Sequence, residues 1–301
     1  MQRPGSAQTG WQRLRAFADA EVRPAVTEFA LNLGRYDLLT TASAIAFRVL
    51  FALIPLAAAS LALLGVLHLG DLWQDWFAPR IHGRLTQSQF EVIDTAARSI
   101  LGRGREFWLT VGLLIAVWEV SGAVRAAMGA LNRVYGRDDT RSFWRRMATS
   151  VALGLVVSLA FTIVIGALSL GNELAAEITS NAWESALAAV LRIGVAILAA
   201  LFGVVVMIRW GTSKRHSTQW LGFVSVLVVV LWIAASVILT WYFRSLADYR
   251  SVFGAVTSFI VVLIYLYWIS ILLLAGALAD AMLRERLAIP LEERGQRRVE
   301  A

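Results

Sequence analysis

The chain has 301 residues, 58% of them apolar and only 16% charged, with a net charge of +7 and a mean hydropathy of +0.65. A soluble domain is roughly half apolar and about a quarter charged, so composition excludes an ordinary soluble protein and points to a multi-pass membrane one. The arginines fall in short stretches between apolar runs, with Lys214 the sole lysine; that is the placement of topology signals, and no nucleic-acid partner is expected.

Residues 1–40 read as a cytoplasmic segment. Within it, 11–36 puts Trp11, Leu14, Ala18, Phe29 and Leu33 on one approximate face, with Arg13, Arg15 and Arg23 elsewhere. That pattern fits a helix lying on an anionic leaflet, bent at Pro24, and fits equally a helix packed on a bundle. The first apolar run begins near Leu38, too deep for a cleavable leader.

A spanning helix needs roughly 20 mostly apolar residues. Six runs qualify, near 41–67, 108–131, 147–170, 186–208, 219–243 and 255–281. The expected fold is therefore all-α: a six-helix transmembrane domain over 41–283 and a cytoplasmic tail over 284–301. The 68–107 connection is an outer loop, carrying a short amphipathic helix over 88–101 that opens on Ser88 and Glu91 in capping-box spacing. In the third run Ser150, Gly154, Ser158, Thr162 and Gly166 recur every four residues, a small-residue stripe for close helix approach. The stripe packs within the fold or supports a homo-oligomer.

The 132–146 link carries Arg133, Arg137, Arg141, Arg145 and Arg146, the 209–216 link Arg209, Lys214 and Arg215, and the tail five arginines from Arg284 to Arg298, whereas 171–185 carries only acids. The positive-inside bias then puts both termini in the cytoplasm.

Recognisable catalytic chemistry is missing. There is no cysteine, and His68, His82 and His216 are scattered. No metal-ligand spacing, phosphate loop or nucleophile elbow occurs. Neither an enzyme nor a cofactor nor a metal is expected.

The apolar runs nevertheless hold Arg48, Glu119, Arg125 and Asp280, with Asn132 at the end of the second. Each charge at mid-membrane costs about 2.5–3.5 kcal/mol unless it is buried and paired. Glu119 lies about 16 Å along its helix and Arg125 roughly 25 Å. They are about 240° apart around the helix, so they cannot pair along it, and Arg48 is the natural partner for Glu119. These five residues are expected to line a cavity inside the bundle, open toward the cytoplasm. An ion pair that only fixes helix register is the competing reading. Pro55 sits mid-helix in the first run, where it frees a carbonyl and favours a static kink.

Three stretches resemble the YihY/BrkB family of bacterial inner-membrane proteins. They are "AFRVLFALIPLAAASLALLG", "WEVSGAVRAAMGALNRVYGRDDTRSFWRRM" and "YRSVFGAVTSFIVVLIYLYWISILLLAGALADAMLRE". The resemblance covers about residues 30 to 285 and implies six spans. It carries over Pro55 in the first stretch, and Ser121, Gly122, Arg125, Asn132, Tyr135, Gly136 and Arg141 in the second. Arg48, Leu278 and Asp280 depart from the family's usual residues. The family was formerly mislabelled ribonuclease BN and is linked to envelope integrity. The expectation is a transporter-like protein for an anionic or amphipathic envelope solute such as a lipid, with membrane lipids as partners. The alternatives are a membrane scaffold that recruits an envelope protein and, more weakly, membrane-associated RNA processing.

Overall fold

A computed structural model describes residues 23–83, 87–102, 104–136, 138–178, 181–213, 218–245 and 250–288. The expected features at Trp11, Leu14 and Ala18, at Arg137, Lys214, Arg215 and His216, and in the tail from 289 lie outside the described residues. Every described element is helical. They are α1 (Arg23–Arg35), α2 (Leu38–Val66), α3 (Ala78–His82), α4 (Gln87–Leu101), α5 (Arg105–Phe107), α6 (Leu113–Val134), α7 (Phe143–Ile178), α8 (Ala182–Gly211), α9 (Thr218–Ser245) and α10 (Arg250–Ala288). Widened π turns at Trp73–Phe77 and Trp108–Gly112 lead into α3 and α6.

Among the described residues six stretches are long and apolar enough to cross a membrane: Leu38–Val66, Arg105–Val134, Phe143–Leu168, Trp183–Gly211, Val224–Tyr242 and Phe259–Arg286. Each overlaps one of the six runs. The helices themselves go further than the runs, because nothing in the flanking sequence breaks them. α7 takes in 171–178, where a connection is expected from the sequence, and α10 continues through Arg284 and Arg286.

The spans close a ring in chain order, α2–α6–α7–α8–α9–α10, with α10 returning to α2; α6 also touches α8 and α10. Small residues permit this. α6 presents Ala123, Ala127 and Ala130 with Val124, Met128 and Leu131 to the core, where Leu38, Ala42 and Ile45 of α2 meet Leu274, Ala277 and Leu278 of α10. Gly276 of α10 leaves the space taken by Val228 of α9. Of the α7 stripe, Ser150 and Gly154 pack on α6, whereas Thr162 is exposed and Gly166 faces open space.

α2 and α6 run antiparallel and very close. A Cβ on Gly112, where the π turn enters α6, would stand 2.9 Å from the Pro55 carbonyl, and α2 meets the end of α4 as closely, with a Cβ on Gly65 standing 2.8 Å from the Leu101 carbonyl. α2 is assigned as one helix through Pro55. Backbone reversals at His68 and Gly136 have φ near 59°, and Gly136 closes α6 in the conformation that glycine tolerates best.

The 68–104 connection folds on itself. Trp73 is buried and its indole donates to Asp94 Oδ1 at 2.9 Å. Asp94 also accepts from Arg98 at 2.7 Å. Both bonds favour the carboxylate and hold Asp94 below the ordinary acid range. α4 packs through Ala97 and Leu101 and leaves Val92 and Ile93 exposed. At the other end of the bundle α1 lays Phe29 and Leu33 on the core, leaves Val26 and Leu31 outward, and is tied to α10 by Glu28 and Arg286 at 2.5 Å.

Candidate functional site

α6 is buried on one side and charged on the other. The charged side does not look into the centre of the bundle, as the sequence reading expected. It forms the floor of a groove of about 470 Å³, lined by Ala44 and Arg48 of α2, Gly122, Arg125 and Ala126 of α6, and Phe143, Arg146 and Met147 of α7. α2 and α7 flank α6 in the ring, so the groove runs over α6's outer face, below exposed Trp118 and Leu114. The physical reason is that the alanines and large apolar residues of α6 already fill the interior, and burying a guanidinium there would cost far more.

Along α6, measured from Val134, the charges form a ladder. Arg146 reaches the level of Gly129, about 8 Å in; Arg125 is about 14 Å in and Glu119 about 22 Å. Arg48 Nη1 lies 3.4 Å from Glu119 Oε2, with both side chains half-buried. Gly122 makes that crossing possible, since a Cβ there would stand 3.0 Å from the Arg48 guanidinium carbon. Arg125 donates through Nη1 to Ser121 Oγ, to Ser150 Oγ at 3.2 Å and toward Met147 Sδ at 2.9 Å. All those partners are neutral. Its guanidinium carbon stands 5.7 Å from the Trp118 ring.

Two residues placed in the same cavity by the sequence reading lie elsewhere. Asn132 is buried, and its Oδ1 accepts from the Ser213 amide at 3.0 Å, holding the turn after α8. Arg141 supports the same turn by donating to the carbonyls of Trp210 at 3.0 Å and Thr212 at 2.8 Å; these are end-of-helix acceptors that a cation satisfies well. Asp280 is buried and accepts from Tyr135 at 2.9 Å and from Arg284 at 2.8 Å. Neither Asn132 nor Asp280 lines the groove.

Arg146, Phe143 and Asp139 were not among the expected site residues. Asp139 Oδ2 lies 3.5 Å from Arg146 Nε, and Oδ1 takes the Ser213 hydroxyl at 3.3 Å and the Arg141 amide at 3.2 Å. One signal was available: Arg146 precedes Ser150 by one helical turn, on the stripe that faces α6. Among the described residues no group of three metal-ligating side chains occurs.

The family model "Virulence factor BrkB" matches residues 30–300. The ribonuclease-like protein YfkH of Bacillus subtilis (strain 168) is 24% identical over 216 residues, covering 68% of this chain and 76% of the relative. No solved structure matches the chain.

Proposed function

The chain belongs to the virulence factor BrkB family, and on that premise we propose that it is a transporter-like protein that binds a phosphate-bearing amphiphile in the groove over α6 and passes it along the bundle. The carrying observation is the cluster of Arg48, Arg125 and Arg146 in one groove beside a helix long and apolar enough to cross a membrane. Arg48 and Arg146 stand beside Glu119 and Asp139, whereas Arg125 has only neutral partners, which is costly there unless an anion compensates it, and planar guanidinium forks suit phosphate. Exposed Phe143 in the groove lining and the exposed Phe47–Phe51 pair on the helix that carries Arg48 suit acyl chains. The reading assigns no catalytic step. It puts the protein in a bacterial inner membrane with cytoplasmic termini, supported by arginine-rich connections at the Val134 end.

A second reading, a scaffold for envelope integrity, draws on Asn132, Arg141 and Asp280, whose bonds brace helices to one another. RNA processing has only the name of YfkH behind it. Reconstitution into vesicles separates the first two. Transport predicts that fluorescent phospholipid becomes exposed on the opposite leaflet faster than in empty vesicles, and that Arg125→Gln slows this about tenfold. Equal rates with and without protein would leave the scaffold.

A further inference from the structure

Among the described residues the groove holds one cation without an acidic partner and no acid without a basic one. Among the described residues, Glu119 is engaged by Arg48, and Asp139 by Arg146 and Arg141. Arg125 alone of the groove arginines has only neutral hydrogen-bond partners, all reached through Nη1. Its Nε and Nη2 form no hydrogen bond among the described residues, and neither is a sealed, unsatisfied atom. Arg125 is among the residues that line the groove.

We propose that the groove selects a net-negative phospholipid, one whose phosphodiester carries an uncharged headgroup, over a zwitterionic lipid with an ammonium group, and that Arg125 reads the phosphate. This rests on the groove being the lipid site proposed above. A phosphodiester oxygen pair matches the Nε–Nη2 edge of Arg125, while Ser121 and Ser150 fix the guanidinium from behind. An ammonium group would find no carboxylate without an arginine on it and would sit against like charge. The diacyl source, as opposed to a free phosphate, follows from the groove's position. It opens on the outer face of α6, and α2, which carries Arg48, also bears exposed Phe47 and Phe51, whose rings are 4.4 Å apart.

The test is native mass spectrometry of the full chain in detergent, with equimolar dioleoyl phosphatidylglycerol and dioleoyl phosphatidylethanolamine. Glycerol phosphate is added in a separate arm. The expected result is about tenfold preference for the glycerol lipid, falling to within about twofold in Arg125→Gln. Arg48→Gln, which releases Glu119 for an ammonium, should instead raise ethanolamine-lipid retention. Arg125→Lys keeps the charge without the fork and should fall between; it carries the test if the glutamine variant does not fold. Equal retention of both lipids by the unaltered chain, with Arg125→Gln lowering both, overturns the headgroup assignment and leaves the groove standing. Retention of both lipids unchanged in Arg125→Gln and Arg125→Lys overturns the groove as well. Displacement of lipid by millimolar glycerol phosphate overturns the diacyl source.

Discussion

Gly122 on α6 is the space into which the Arg48 guanidinium of α2 fits. The two residues belong to one device, because the arginine reaches Glu119 only by crossing α6 where no side chain stands.

Gly122→Ala should therefore displace Arg48 and destabilise the protein by about 1–3 kcal/mol, the usual cost of overpacking. Thermal unfolding in detergent measures the loss. Adding Arg48→Ala should recover much of it, since the displaced group is then gone; two additive losses would show that the clash lies elsewhere.

Exchanging Arg48 and Glu119 should show coupling. Each single reversal places like charges together, and the double reversal restores an opposite pair. Both side chains are half-buried, so the coupling should be modest, about 0.5–1 kcal/mol in a double-mutant cycle. A cycle that closes at zero means that the pair has no energetic content.

Gly112→Ala should be as damaging as Gly122→Ala, but without a rescue. Its Cβ would meet the Pro55 carbonyl at 2.9 Å, which is backbone. Pro55→Ala keeps that oxygen and should not restore stability. Recovery in the double variant would locate the conflict in the proline ring.

The bundle was legible in the sequence because hydropathy is a property of composition over a span, and lipid forces each span to be a helix. The Arg48–Glu119 pairing was legible too, since helical rise fixes depth. The side of α6 on which they meet was not. Small residues mark both its faces, Ala123, Ala127 and Ala130 toward the core and Gly122, Ala126 and Gly129 toward the groove, and only packing with α8 and α10 separates them. Arg146 was read as a topology charge because it sits in a run of arginines. Its place in the groove depends on how far α7 begins before the lipid. Asn132 and Asp280 looked like site residues for the same reason that Arg125 did, and only their partners, the turn after α8 and Tyr135, tell them apart.

Trp73→Phe should weaken the folded outer connection selectively. The indole is the main cause of Asp94's lowered pKa, with Arg98 second. A carboxylate with a depressed pKa stabilises the fold above its unfolded value, near 3.8, and that contribution disappears as pH falls through the lower folded value. Near neutrality the variant should expose residues 73–101 to faster hydrogen exchange than the unaltered chain. The gap attributable to Asp94 should shrink below about pH 4. A gap independent of pH would assign the effect to lost packing alone.

Asn132→Ala removes the acceptor of the Ser213 amide and should fray the end of α8, costing about 1 kcal/mol. Faster exchange at residues 209–213, with lipid retention in the groove unchanged, is the expected pattern. Loss of lipid retention would tie this turn to the groove.

The last span completes the bundle by returning to the first. Until α10 is made, Leu38, Ala42 and Ile45 lack the neighbours Leu274, Ala277 and Leu278, and the earlier helices form an open horseshoe with a bare inner wall. Assembly during synthesis is thus held unfinished for most of the chain's length, and a product cut short before residue 259 would offer that wall to quality-control proteases.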